Sequence, residues 1–241
     1  MFYLLVKGDQ FMKKIIIFII LIFITEGVSS PIPIGKLVAF EGKVIIYHKD
    51  DIRGFKVIKN YIDIFTEDVI KTKSNSTALL RLNDKSKVVL TEKSIIEIPA
   101  SNNINIIKGE ILFNVTRQED IHGLQILTEV ATIGVKGTVF AVIANNNTVN
   151  IFLKSGKLEI SPKKGKFKKI IQRRKGDFKE YLNQQQNDFH KYKSKMEKSF
   201  YEYMESVTIN AGTAISINQN NIRNIRINKE LEEKFKLLEQ F

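Results

Sequence analysis

The sequence predicts a mainly β protein, a β-solenoid-like or β-sandwich-like stack of strands with one long amphipathic helix and a short C-terminal helix. Between residues 35 and 160, short runs alternate apolar with polar residues and are separated by turn residues, as half-buried strands are. Residues 172 to 206 contain no Ile, Val or Thr, and this absence favours a helix. Near the C-terminus, Leu231, Phe235 and Leu238 recur at helical spacing.

The N-terminal residues have the order of a secretory signal peptide. Lys13 and Lys14 precede an apolar run from 15 to 24, and small residues such as Gly27 and Ser29 follow. A membrane-spanning helix needs about 20 apolar residues, so this run is short for an anchor. We expect residues 1–30 to be removed on export, with Met12 as the natural start, and the mature chain to lie in the periplasm or elsewhere in a bacterial cell envelope. An uncleaved anchor or a buried helix is the alternative.

The β-rich part contains a repeat of 8 to 10 residues. Runs that begin at Ser76, Ser86 and Ser94 each continue with alternating apolar residues, and two further runs follow between 104 and 115. Such a repeat stacks strands either as rungs of a solenoid or as a meander in a sandwich, and periodicity does not choose between them. The serines are interpreted as turn residues at the strand starts.

The C-terminal third is predicted to contain two helices with strands between them. Asp177 and Glu180 form a capping-box pattern, so a long helix is expected over 177–206, with an apolar stripe that packs along the β body. Strands are expected again over 207–217 and 222–227. Asn228 is expected to cap the final helix.

No catalytic, metal or cofactor site is predicted. The 241 residues include no Cys, which excludes disulfide scaffolds, thiol catalysis and thiolate metal sites. His48, His122 and His190 are far apart in sequence, without the close pairing of a metal-binding helix. The segment from Gly134 to Thr138 lacks the spacing of a phosphate-binding loop. A non-enzymatic protein is therefore expected.

Several short motifs occur in a fixed order along the β-rich part. They are Gly35-x-Leu37, Gly42-x-Val44, Asp68-Val69-Ile70-x-Thr72, the alternating run from Ser76 to Leu90, Gly109-Glu110-x-x-Phe113-x-Val115, Ala131-x-Ile133-Gly134-Val135-Lys136-Gly137-Thr138-x-Phe140-x-Val142, and Ser155-Gly156-Lys157-Leu158. This order resembles the FecR domain over about residues 35 to 160. The motif residues assigned a structural role are Gly109, Gly134, Gly137, Thr138, Phe140 and Gly156.

The resemblance implies a periplasmic, β-solenoid-like domain. In the best-known FecR proteins this domain belongs to a regulator coupled to a TonB-dependent transporter, with a cytoplasmic anti-sigma region and a transmembrane helix before it. Because at most fourteen residues precede the apolar run here, a stand-alone exported form is expected. Its expected function is envelope binding or scaffolding. The alternative is a periplasmic component of FecR-type signalling or transport regulation.

The positive charge is concentrated in one segment. Of the net charge of +12, residues 154 to 179 carry +9. The candidate residues for binding an anionic partner are Lys163, Lys164, Lys166, Lys168, Lys169, Arg173, Arg174 and Lys175. Such a patch favours lipid headgroups, lipopolysaccharide phosphates, an acidic polymer or an unknown envelope protein, and a solvated Lys-rich excursion is the alternative. Nucleic acid is not expected as a partner, because export separates the chain from it.

These observations divide the chain into five parts. After the signal peptide, a FecR-like β domain is expected over 31–160, and a basic hairpin or linker over 161–176. The long helix occupies 177–206, and closing strands with the C-terminal helix occupy 207–241.

Overall fold

A computed structural model describes residues 32–116, 123–170, 201–227 and 229–239. The described residues form mainly β-strands, numbered in chain order, which arrange in two sheets that share one strand. The mainly β prediction is therefore confirmed.

Sheet A is largely antiparallel. Its strands, in spatial order, are β4 (Ile62–Ile64), β1 (Gly35–Glu41), β6 (Thr77–Leu82), β7 (Lys87–Leu90), β9 (Asn103–Asn114), β12 (Val139–Asn145), β13 (Thr148–Ser155), β18 (Thr213–Asn218), β19 (Asn221–Asn224), β15 (Phe167–Ile170) and β16 (Tyr201–Met204). Only the pairing of β19 with β15 is parallel among these described strands.

Sheet B contains the remaining strands and the first half of β9. In spatial order these are β3 (Phe55–Lys56), β2 (Val44–Tyr47), β5 (Val69–Thr72), β8 (Ile95–Ala100), β9, β10 (Leu124–Leu127), β11 (Ala131–Val135), β14 (Lys157–Pro162) and β17 (Val207–Asn210). The closing strands β17 and β18 pair with β14 and β13, so they extend the same two sheets.

Strand β9 joins the two sheets. Its residues up to Lys108 pair with β8 and β10 in sheet B, and those from Gly109 onwards pair with β7 and β12 in sheet A. The main hydrophobic core contains inward-facing residues of both sheets, such as Ile96 and Ile133 from sheet B and Phe113 and Ile151 from sheet A. The two sheets thus share one core, and the solenoid alternative is not confirmed.

Sheet A is apolar on both faces, because alternate residues of its strands lie in two separate clusters. Ile111 and Phe113 of β9 face the main core, whereas Leu112 faces the other side. The second cluster is covered by the C-terminal helix α1 (Lys229–Lys234) and the 3-10 turn Phe235–Leu238. The predicted apolar face of Leu231, Phe235 and Leu238 is confirmed, since all three are buried. Asn228, the predicted cap, lies outside the described residues.

The long helix predicted over 177–206 is not shown. Residues 171–200 lie outside the described part. The prediction of a helix is wrong for Tyr201–Met204, because these residues form β16 and pair with β15. The stripe of the proposed helix included Tyr203, but tyrosine also suits a strand, and pairing with β15 decides the local structure there. The predicted basic hairpin or linker over 161–176 is described only up to residue 170. β14 pairs with β11 and β17, whereas β15 pairs with β16 and β19, so the chain crosses between sheets at this point.

In the described residues no helix is long and apolar enough to cross a membrane. The predicted signal peptide lies outside these residues.

Candidate functional site

The motif Gly137-Thr138-x-Phe140, called the Gly-Thr-x-Phe motif, begins in a tight turn and ends in β12. Its neighbour across the sheet is Gly156, which follows β13 and has a φ of +90°. A Cβ atom at Gly156 would lie 2.5 Å from Thr138 Cγ2 and 2.8 Å from the carbonyl oxygen of Gly137. Glycine is therefore required at 156 both by the backbone conformation and by the close approach of the two turns.

The same motif anchors the main core. Phe140 is fully buried and stacks on Phe113 of the neighbouring strand, with ring centroids 4.7 Å apart and an interplanar angle of 10°. Val115 N donates to the carbonyl oxygen of Thr138 over 2.9 Å and closes the turn against β9. Gly134, in contrast, would place a Cβ atom at an ordinary 3.7 Å from Glu159 O. The motif thus forms the framework of the domain and offers little exposed surface.

Gly109 lies where β9 passes from one sheet to the other. Its φ is +104°, and a Cβ atom there would lie 2.6 Å from Ser94 Cβ and closer still to Ser94 Cα and Oγ. The Ser94 hydroxyl forms two hydrogen bonds with the backbone of Glu110, the residue next to Gly109. It donates to Glu110 O and accepts from Glu110 N, each over 3.2 Å. This contact fixes the turn after β7 against the crossing point of β9.

The repeat serines and Thr72 form side-chain hydrogen bonds that the sequence did not reveal. Ser76, Ser86 and Ser94 do lie at strand starts, but all three are buried. Ser76 Oγ accepts from Lys43 N over 2.8 Å, and Ser86 Oγ accepts from Thr116 N over 3.1 Å. Ser94 N donates to the Thr72 hydroxyl, which donates in turn to Thr91 O over 2.6 Å. These side chains join non-adjacent turns; the recurrence of Ser at the repeat interval was the only signal for this role.

A buried carboxylate pairs with a histidine at the same end of strands β2 and β5. Asp68 is 1% exposed, and its Oδ1 lies 2.7 Å from His48 Nδ1 while its Oδ2 accepts from Phe65 N. The imidazole packs against the rings of Phe55 and Phe65, with centroids 5.0 and 5.8 Å away. His48 therefore has a structural role, and Asp68 is the motif residue whose role sequence reasoning missed. His122 and His190 lie outside the described residues, within which no cluster of three metal-ligating side chains occurs.

The predicted basic patch is described only in its first part. Lys163, Lys164 and Lys166 lie in the turn between β14 and β15, and Lys168 and Lys169 follow on β15. All except Lys168 are exposed. Arg173, Arg174 and Lys175 lie outside the described residues. Five of the eight predicted residues thus lie in this turn and in the strand that follows it.

The basic turn, residues 163–169, is held in a defined conformation. Asn220 Nδ2, in the turn between β18 and β19, donates to Lys164 O over 2.7 Å and to Lys166 O over 3.0 Å. Lys166 Nζ lies 2.9 Å from Glu205 Oε1, and this hydrogen bond together with the charge of Lys166 lowers the pKa of the exposed Glu205 carboxyl. The turn therefore presents a partly compensated group of positive charges at a fixed place.

A polar groove of about 790 Å³ lies beside the C-terminal helix. Lys234 Nζ bridges Glu110 Oε2 at 2.9 Å and Glu230 Oε1 at 3.2 Å. Burial lowers the pKa of the Lys234 ammonium, but the hydrogen bonds and charges of Glu110 and Glu230 outweigh it and raise that pKa overall. Lys87 Nζ donates to Leu238 O over 3.1 Å. These contacts fasten the helix to sheet A, and the groove contains no arrangement that indicates a reaction.

Part of the chain is similar to a known protein family. Residues 68–159 match the family model described as FecR protein. The chain contains a FecR domain over these residues. The match includes the Gly-Thr-x-Phe turn, Gly109 and Gly156, whereas the glycine-containing motifs at 35–44 precede it.

This chain has a limited similarity to solved structures. Two crystal structures of a candidate anti-sigma factor from Parabacteroides distasonis match with 16% and 15% identity and TM-scores of 0.46 and 0.44. The alignments cover 71% and 67% of this chain, and 65% and 61% of the other chains. This chain thus spans less than two thirds of the length of those proteins. No curated protein matches significantly.

Proposed function

We propose that the protein is a non-enzymatic FecR-type regulatory module of the bacterial cell envelope, which acts by binding a protein of a signalling or transport system. The observation that supports it is the FecR match at residues 68–159. Motif residues within this match, such as Phe140 and Gly156, belong to the interior and the turns of the β body. Partner recognition is therefore assigned to the exposed surface around them.

Deletion of the gene tests the regulatory role. In a deletion strain, transcripts for an envelope receptor, a sigma factor or a transporter should change, and the wild-type gene should restore them. Crosslinking the full chain in living cells should then join it to one of the encoded proteins. An unchanged transcript profile, with no such adduct, would refute the regulatory proposal.

The basic turn supports a second proposal, that the chain docks on an anionic envelope polymer. Its support is the grouping of five lysines, with Lys163 and Lys164 exposed in a turn whose backbone is held by Asn220. A preorganised cluster of like charge concentrates anionic ligands, and the attraction falls with rising salt.

Inorganic polyphosphate is a suitable probe for this docking. Changing both lysines at the tip, Lys163→Glu and Lys164→Glu, should weaken binding about tenfold at low salt, because four units of charge are lost at one place. The exposed pair Lys43→Glu and Lys108→Glu makes the same change in net charge elsewhere and should weaken binding about threefold or less. Equal losses in the two variants would show that only the net charge matters, and would refute a localised site.

A further inference from the structure

The connection between β2 and β4 exposes large apolar side chains to solvent. Ile52 is 95% exposed, Ile58 81% and Tyr61 70%. The other exposed large apolar residues in the described part are Ile32, which is 81% exposed, Ile107 at 49% and Tyr203 at 55%. Single exposed apolar residues are common, but three such highly exposed residues within thirteen positions indicate a binding surface.

Ile52 projects from a hydrogen-bonded turn. Asp51 Oδ1 accepts from Arg53 N over 2.9 Å and from Gly54 N over 3.2 Å, and Asp51 N donates to His48 O over 3.0 Å. The turn therefore closes around the residue that it presents. The exposure of Ile52 is a consequence of local hydrogen bonding, and no rearrangement is needed to make it available.

Ile58 and Tyr61 are also presented by well-fixed backbone. Val57 is fully buried and its N–H donates to Val44 O over 2.9 Å, so the alternation of an extended chain turns Ile58 outward. Tyr61 has a φ of +60°, which is uncommon for a bulky side chain. Backbone strain of this kind is concentrated at functional sites, and here it accompanies an exposed aromatic ring.

The charges beside these side chains are mainly positive. Arg53, Lys56 and Lys59 are exposed and take part in no ion pair among the described residues, whereas Lys49 pairs with Glu67 at 2.8 Å. The acidic residues of the connection are Asp50 and the turn-forming Asp51. Along the chain, each of the three exposed apolar residues thus lies next to or near a Lys or Arg residue that takes part in no ion pair among the described residues.

We propose that the connection 49–61 docks the protein on an anionic lipid bilayer, with Ile52 and Ile58 entering the headgroup region. Apolar side chains flanked by Lys and Arg are typical of surfaces that bind at the membrane interface, where tyrosine is also favoured. Each basic residue near an anionic surface adds attraction. A protein partner fits less well, because the apolar side chains stand singly between charged residues and do not form the continuous core of a protein interface.

The absence of tryptophan from the chain allows a site-specific test. In the full chain, Ile52→Trp and Ile58→Trp each introduce one fluorophore at the proposed contact, and Ile107→Trp introduces one on the outer face of sheet B. The probe is a vesicle of phosphatidylglycerol and brominated phosphatidylcholine, which quenches a tryptophan that enters the bilayer. Because each reporter senses its own position, binding through any other part of the chain does not mimic the result.

Quenching at positions 52 and 58 should exceed that at 107 about twofold or more, and should weaken when phosphatidylglycerol is omitted. Equal quenching at all three positions, or none at 52 and 58, would overturn the proposal. A blue shift at 52 that grows with protein concentration in the absence of vesicles would instead identify a contact between copies of the chain, and would also overturn it. Stronger quenching at 52 and 58 would support membrane docking even if deletion of the gene changed no transcript. The two experiments therefore test membrane docking and the regulatory role independently.

Discussion

Replacing Gly109 by alanine should destabilise the protein far more than the same replacement at Gly212. Both glycines have positive φ, +104° and +77°. A Cβ atom at Gly212 meets nothing within 4 Å, whereas one at Gly109 meets Ser94 Cβ at 2.6 Å and the Ser94 backbone closer still. The two variants share the conformational penalty and differ in the steric one.

The expected magnitudes follow from these two terms. An alanine at positive φ costs about 1–2 kcal/mol, which is the whole effect expected for Gly212→Ala. Overpacking against a neighbour that cannot move adds about 1–3 kcal/mol, and the neighbour of Gly109 is backbone. Gly109→Ala should therefore cost about 2–5 kcal/mol, and in a protein of this size each kcal/mol lowers Tm by about 2–4 °C.

Thermal and urea unfolding of the two variants measure this difference directly. Gly109→Ala should unfold at a clearly lower temperature and urea concentration than Gly212→Ala, with little change in the slope of the urea transition. Equal losses of stability would refute the argument that the crossing point of β9 is closed sterically by Ser94.

Three further changes test other contacts. Phe140→Ala should cost about 3–5 kcal/mol in urea unfolding because it empties a fully buried site, and Phe140→Leu should recover most of that loss; near-wild-type stability of the alanine variant would contradict the stacked core. Asp68→Asn should cost about 1–3 kcal/mol by the same assay, whereas Asp63→Asn, in an exposed ion pair with Lys36, should cost under about 1 kcal/mol; equal effects would count against the buried pair with His48. The pKa of Lys234 is raised, so its bridge to Glu110 stabilises the helix fully below the unfolded pKa near 10.5, and this stabilisation is lost as pH rises through the higher folded pKa. Hydrogen exchange of residues 229–239 should therefore accelerate in that pH range in the wild type. A Lys234→Met variant that shows the same alkaline step would contradict this explanation.

The sequence predicted which residues face the core better than it predicted which strands pair. In β9, alternation correctly separates Ile111 and Phe113 from Leu112 between them, because side-chain direction in a strand depends only on local geometry. It does not show that the same strand changes sheets at Gly109, because pairing partners are chosen by contacts far away in the sequence. The strands β7 and β8 illustrate this, since they are consecutive in sequence but belong to different sheets. Lys87 of β7 pairs with Asn114 in sheet A, and Ile95 of β8 pairs with Lys108 in sheet B.

The predictions that were wrong or incomplete have related causes. Tyr201–Met204 fit both a helical stripe and a strand, and pairing with β15 decides for the strand. The buried hydrogen bonds of Thr72 and Ser94 could not be foreseen, because small hydroxyl residues look the same in an exposed turn and in a buried one. The cluster of lysines at 163–169 is a local property of the sequence, whereas the partner that such a cluster binds is not.

We propose that this chain, which contains a FecR domain, acts in the cell envelope by binding a protein of a regulatory or transport system. Crosslinking the full chain in living cells, followed by mass spectrometry of the adducts, tests it most directly. We expect an adduct with a membrane-anchored regulator or a transport receptor, formed through exposed residues of the β body. Adducts that are confined to copies of the chain itself, or the absence of any adduct, would contradict this proposal.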